Sequence, residues 1–170
     1  MKNKSKVQII EANSRANALR ADAVGDEFGV QYVILGGGDE YERINDIKNT
    51  KATFILPLNF PKAYDVENTF LTNSLELEAM KEWNQRPGNP MAFETYDVPF
   101  AFTTKGLKSM KDFKANIQKA IEYGLDKVSA LEALTTRPAQ ILGNSKLGNL
   151  SVGSYANFLI TSGDIFNSKT

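Results

Sequence analysis

Four short apolar runs dominate the sequence: Val7–Ile10 (VQII), Tyr32–Leu35 (YVIL), Ala52–Leu58 (ATFILPL) and Pro99–Phe102 (PFAF). Between them lie segments whose apolar residues recur at helical spacing. That alternation predicts parallel strands joined by crossover helices, an α/β architecture. At 170 residues the chain suits one compact unit, or part of one, rather than two large domains.

The connecting segments carry their own start and stop signals. Ser14 is a plausible N-cap for a helix burying Ala16, Leu19, Ala23 and Phe28, and Gly29 ends it. After the second run come Gly36, Gly37 and Gly38, then a helix with Tyr41, Ile44 and Ile47 on one face. Pro57 is costly inside a central strand and marks the end of the third run. Asn59–Asn68 reads as an irregular loop, followed by a helix through LELEAMKEW to about Trp83. Arg86–Pro90 (RPGNP) then breaks the chain.

Phe113, Ile117, Ile121 and Leu125 define a helix ending near Gly124. Asp126 caps the next helix, with Val128, Leu131 and Leu134 inward and Gly143 at its stop. Beyond it, LGNLSVGSYANFLI changes character, with Gly148 and Gly153 separating short extended pieces. Residues 1–143 are therefore read as the α/β body and 144–170 as an appended β tail.

Composition removes several classes of function. Lys plus Arg and Asp plus Glu both number 20, so no charge excess points to nucleic acid or an anionic membrane. No apolar run approaches the length of a membrane span, and the basic start KNKSK leads into too short an apolar stretch for a signal peptide. With no Cys there is no thiol nucleophile, disulfide or thiolate metal site. With no His the commonest general base and metal ligand is missing, leaving carboxylates, Lys, Tyr and hydroxyls for any chemistry.

Residues 130–160 hold a more specific pattern: Ala133-Leu134-Thr135, Pro138-Ala139, Leu142-Gly143, Leu147-Gly148, then Leu150, Gly153, Ala156-Asn157 and the apolar Phe158–Ile160. It resembles the C-terminal signature of the amidohydrolase superfamily, imidazolonepropionase-like branch. The resemblance implies that the α/β body is the C-terminal half of a TIM-like (β/α)8 barrel, strands five to eight, and that the tail belongs to the family's small composite β domain. It implies metal-dependent hydrolysis of non-peptide C–N bonds as the family reaction, with zinc or another divalent metal held by His and Asp at strand ends. Such placement agrees with the general location of barrel active sites.

Carried onto this sequence, the metal-binding His ending strand five falls at Glu11 or Asn13, the His ending strand six at Gly36, and the Asp ending strand eight at Lys105. All three depart from the pattern. No cofactor is therefore expected in this segment, and the HxH pair of strand one would precede residue 1. Two functions follow: a fragment of an amidohydrolase-family protein, or a non-catalytic scaffold or small-ligand binding pseudoenzyme domain within a longer chain. Half a barrel leaves two open sheet edges and an uncovered apolar face, so the expected partner is the missing N-terminal half or a second copy.

Other features have two readings each. The Gly36–Gly38 turn is either a phosphate cradle or a tight βα turn, and Asp39 and Glu40 favour the turn. Glu11, Asp39, Glu40, Asp65 and Glu67 form either a carboxylate cluster for Mg²⁺ or Ca²⁺ or ordinary solvated loop charge. Lys105 either pairs with Glu11 across the barrel mouth or is a solvated lysine. Phe54, Phe60, Tyr64, Phe70, Phe93, Tyr96, Phe100 and Phe102 fill the core or line a pocket. Thr103 and Thr104 bond a ligand or satisfy backbone at the strand end.

Overall fold

The computed structural model describes residues 6–65, 67–68 and 73–167. Its centre is a four-stranded parallel sheet in sequence order, formed by β1 (Ile9–Glu11), β2 (Val33–Leu35), β3 (Thr53–Pro57) and β4 (Phe100–Thr103). In register, Ile10, Ile34, Phe54 and Phe100 form one row across the sheet. Side chains alternate faces along a strand, so this row shares a face with Leu56 and Phe102. The helices cover that face, and Ile34, Phe54, Leu56 and Phe100 are fully buried.

The opposite face carries Ile9, Val33 and Thr53 in one row and Glu11, Leu35, Ile55 and Ala101 in the next. Ala101 is buried, but Val33, Leu35, Thr53 and Ile55 are only partly covered and Ile9 is 56% exposed. In a closed barrel this face would be the interior. The expected half-barrel is thus present, with its apolar concave face incompletely sheltered.

The first helix, α1 (Arg15–Phe28), begins at Ser14, whose hydroxyl accepts from Asn17 N, and stops at Gly29 in the left-handed conformation. Its buried face differs from the expected one. Ala18, Ala21 and Gly25 point inward, whereas Ala16, Ala23 and Phe28 are exposed. Close packing explains the choice of small residues: a Cβ at Gly25 would lie 2.4 Å from the Val30 carbonyl oxygen. A 3₁₀ turn (Glu40–Arg43) leads into α2 (Ile44–Asn49), which buries Ile44 and Ile47.

After β3, the loop from Asn59 to Asn68 is irregular where described; its Val66, like Phe70 further on, lies outside the described residues. Helix α3 spans Leu77–Gln85. RPGNP does not break the chain as expected: Arg86–Gly88 forms a 3₁₀ turn and Pro90 lies in the first turn of α4 (Asn89–Thr95). A proline there forfeits no hydrogen bond, because the first-turn N–H groups have no partner within the helix. Helix α5 (Met110–Glu122) buries Ile117, and Ser109 caps it through Asp112 N.

Asp126 caps α6 (Lys127–Leu134) through Val128 N and Ser129 N. Here too the inward residues are alanines, Ala130 and Ala133, while Val128 and Leu131 are exposed, contrary to the periodic expectation. The expected continuous helix also divides at Thr135 (φ −126°, ψ −78°), and α7 (Thr136–Ile141) follows before Gly143 turns the chain. Among the described residues no helix is long and apolar enough to cross a membrane.

The aromatic residues resolve mainly in favour of the core. Phe93 is fully buried and meets Phe54 and Phe100 edge-on, with ring centroids 5.2 and 6.0 Å away. Phe60, Tyr96 and Phe102 pack on the same cluster, and Tyr64 donates to the Ala79 carbonyl at 3.4 Å.

The tail, 144–167, contains no strand. Residues 156–160, expected to form one, make no ladder, and Phe158, Leu159 and Ile160 are exposed. A strand needs a neighbouring strand for its backbone groups, and among the described residues none pairs with these; Asn157 N donates instead to the Tyr155 carbonyl at 2.8 Å. Further on the chain docks again: Phe166 packs on the core, its carbonyl accepts from Gln118 Nε2 at 2.9 Å, and Asp164 pairs with Lys127.

Candidate functional site

The C-terminal ends of the strands bring Glu11 and Lys105 together, and Gly36 follows Leu35, the register partner of Glu11. Glu11 is the last residue of β1, and Lys105 follows β4 by two positions. The Lys105 ammonium contacts Glu11 Oε1, so an ion pair connects the outermost strands of the sheet across the mouth. Both side chains are substantially exposed, at 45% and 60%. Lys105 N also donates to Thr103 Oγ1 at 3.2 Å, giving the threonine a role at the strand end. Asn13, the other candidate at the end of β1, accepts through Oδ1 from Asn17 Nδ2 at 2.6 Å on the outer flank.

Gly36 lies directly after β2, where its N–H donates to the Ile55 carbonyl at 3.0 Å. A Cβ at this position would lie 2.4 Å from Glu40 Oε1. The glycine is therefore required for space: it leaves room for a fully buried carboxylate. Glu40 accepts from Gly37 N at 2.6 Å, from Gly38 N at 3.1 Å and from Asn89 Nδ2 at 2.8 Å. Successive N–H groups turned to one point make an anion nest. Here the anion belongs to the same loop, which is why the triplet is a turn with its own internal ligand.

Asn89 completes the arrangement by accepting from Tyr41 N at 2.8 Å, and the Arg86 guanidinium contacts the Gly37 carbonyl. Neither Asn89 nor Arg86 was marked as functional by the sequence. They lie about fifty positions from the loop they support, inside a stretch whose prolines and glycine read as a breaker.

The other acidic candidates are dispersed. Asp39 accepts from Arg15 N and Nη1 at 2.7 and 2.8 Å, Glu42 pairs with Arg15 at 2.7 Å, and Asp65 accepts from Glu67 N at 3.1 Å. Among the described residues no three His, Cys, Asp or Glu side chains gather as a metal-binding group. A divalent zinc site needs about three N, S or O ligands. At Glu11, Gly36 and Lys105 stand a carboxylate already engaged by an ammonium, a glycine without a side chain, and the ammonium itself, which repels a cation.

No protein-family model and no curated protein matches the sequence. Solved structures match the fold. An amidohydrolase from Thermotoga maritima MSB8 aligns over 98% of this chain with a TM-score of 0.74 at 21% sequence identity, and the alignment covers 41% of that chain. A second amidohydrolase aligns over 98% with a TM-score of 0.68 at 19% identity, covering 40% of its length. A prolidase solved in complex with N-methylphosphonate-L-proline aligns over 87% with a TM-score of 0.59 at 19% identity, covering 36%. The chain thus shares its fold with part of each of these structures and spans about two-fifths of the length of the amidohydrolases it matches.

Proposed function

We propose that this chain is the C-terminal half of an amidohydrolase-type domain whose own share of the metal site is lost, leaving a non-catalytic scaffold within a longer protein. The reading rests on the mouth of the sheet, where Lys105 is paired with Glu11 and the space beside Gly36 belongs to Glu40. The family reaction, metal-dependent hydrolysis of non-peptide C–N bonds, requires a Lewis acid or a metal-activated water. The Lys105 ammonium supplies positive charge near the same place without either capability.

The same reading assigns a partner. Four parallel strands whose edges pair with no further strand among the described residues, with a half-covered concave face, complement four more strands, since eight strands close a barrel filled by side chains. The missing N-terminal half fits that place, and the exposed Phe158–Ile160 supports a second contact with it.

Metal analysis of the protein containing this chain, purified and equilibrated with zinc, tests the proposal. Altering Glu11→Gln or Lys105→Met is expected to leave the zinc content unchanged. Stoichiometric zinc that disappears with either substitution would overturn the pseudoenzyme reading in favour of a working hydrolase. Lys105→Met is also expected to cost about 0.5 kcal/mol in urea unfolding at low salt, diminishing as salt rises, as for a half-exposed pair. Identical curves for the two proteins at all salt concentrations would remove the pair as a contributor.

A further inference from the structure

The two edges of the sheet match one another. β1 and β4 are its outer strands, and neither pairs with a further strand among the described residues. An edge with unpaired backbone groups is a template for another chain. On the concave face Val33, Leu35, Thr53 and Ile55 are only partly covered, and Ile9, on the β1 edge, is exposed. Branched residues of this kind fill the interior of a closed eight-stranded barrel.

Charge distinguishes the edges. β1 ends in Glu11, and Lys105 follows β4 by two positions. Within one chain the two side chains meet across the mouth, yet each keeps about half its surface in solvent, so each has room for a second partner. The helices beside the edges add apolar surface. α1, which follows β1, exposes Val24 and Phe28, and α6, which packs on β4, exposes Val128 and Leu131. With 20 acidic and 20 basic residues the chain has no net charge, so two copies do not repel one another as wholes.

A two-fold axis along the barrel brings these features into register. Under it β4 of each copy lies beside β1 of the other, both seams are parallel like every pair already in the sheet, and no edge is left over. Each interior layer of such a barrel takes four side chains from alternate strands, which is two from each copy. Around the mouth the order becomes glutamate, lysine, glutamate, lysine, with every ammonium between the Glu11 of its own copy and that of the other. The exposed flank of α6 comes next to that of α1 in the second copy.

We propose that two copies of this chain close one barrel between them, each contributing four strands and each placing its Lys105 beside the Glu11 of the other. The inference rests on the half-barrel reading above and describes the chain when no N-terminal half is attached to it. Opposite charges at the chain's own two edges, and apolar helix surface beside both, select a second copy as the occupant.

Light scattering on the eluting 170-residue chain tests the stoichiometry, and a mass of two chains is expected. Val33→Lys puts an ammonium on the concave face, where a single copy leaves it solvated and a closed barrel buries it. It should weaken the dimer about a hundredfold or more with an unchanged circular dichroism spectrum. Pairing of the edges is tested by mixing Glu11→Lys, isotope-labelled, with Lys105→Glu and weighing the dimers by native mass spectrometry. Each variant alone sets like charges at both seams, whereas the mixed dimer restores a complementary pair at each. The mixed species should therefore exceed its statistical share severalfold at low salt, and the excess should fade as salt rises. Should Val33→Lys fail to fold, the mixing experiment decides alone. A single-chain mass at all concentrations, a dimer indifferent to a folded Val33→Lys, statistical mixing, or open-ended assemblies in place of a dimer would each overturn the proposal. None of these outcomes touches the zinc content, so the pseudoenzyme reading stands or falls separately.

Discussion

Replacing Glu40 with alanine is expected to destabilise the protein by about 3 kcal/mol, because it leaves the N–H groups of Gly37 and Gly38 and the Asn89 amide without their acceptor in a buried place. Chemical denaturation measures the loss directly. Gly36→Ala should cost a comparable amount, since the new methyl occupies the position of Glu40 Oε1. The informative variant is the double one. Once Glu40 has been shortened, the added methyl finds room, so Gly36→Ala in that background should cost far less than alone, an interaction energy of about 1 kcal/mol or more. Strict additivity would show that the two residues do not share this space, and the account of Gly36 would fall with it.

The second large effect is expected at Phe93. Its ring is fully buried and contacts Phe54 of β3 and Phe100 of β4 edge-on, so one side chain from α4 joins two strands. Truncation to alanine removes a buried aromatic and opens a cavity, at a cost of about 4 kcal/mol. Loss of the two edge-to-face contacts contributes part of this. Phe93→Leu retains most of the volume and should cost about 1.5 kcal/mol or less. Calorimetry or urea unfolding distinguishes the cases, and a cost below about 1 kcal/mol for Phe93→Ala would mean that the aromatic cluster collapses around the gap.

The strands were legible because a parallel sheet covered by helices selects continuous apolar runs: β2 and β3 lie within their runs, while β1 and β4 overlap theirs and end one residue beyond, at Glu11 and Thr103. The helix caps at Ser14 and Asp126 were legible for a similar reason: their side chains act on N–H groups two or three positions away. Helix faces were not. On α1 and α6 the buried positions are Ala18, Ala21, Gly25, Ala130 and Ala133, chosen for closeness of packing; of the residues expected inward, Leu19 and Leu134 pack on the core, whereas Ala16, Ala23, Phe28, Val128 and Leu131 are exposed. The helix through Pro90 was hidden because a proline in a first turn looks, in sequence, like a proline that ends one.

The candidate site divides along the same line. Glu11 and Lys105 are found by locating strand ends, and the fold brings them into contact. Glu40 was recognised as an acid that suits a helix start or as one candidate in a loop carboxylate cluster, not as the ligand of its own turn. Its actual partners include Asn89, 49 positions away, and no local pattern encodes a contact formed by tertiary packing.

The uncovered stretch near the end of the chain affects how the protein behaves in bulk. Residues 156–161, Ala-Asn-Phe-Leu-Ile-Thr, contain no charge, proline or glycine, and their apolar side chains face solvent. Short uncharged segments of high β-propensity stack readily into cross-β assemblies when left accessible. Concentrated solutions of the isolated chain therefore carry a built-in nucleus for fibril growth, and a single lysine placed within Phe158–Ile160 would act as a gatekeeper against it.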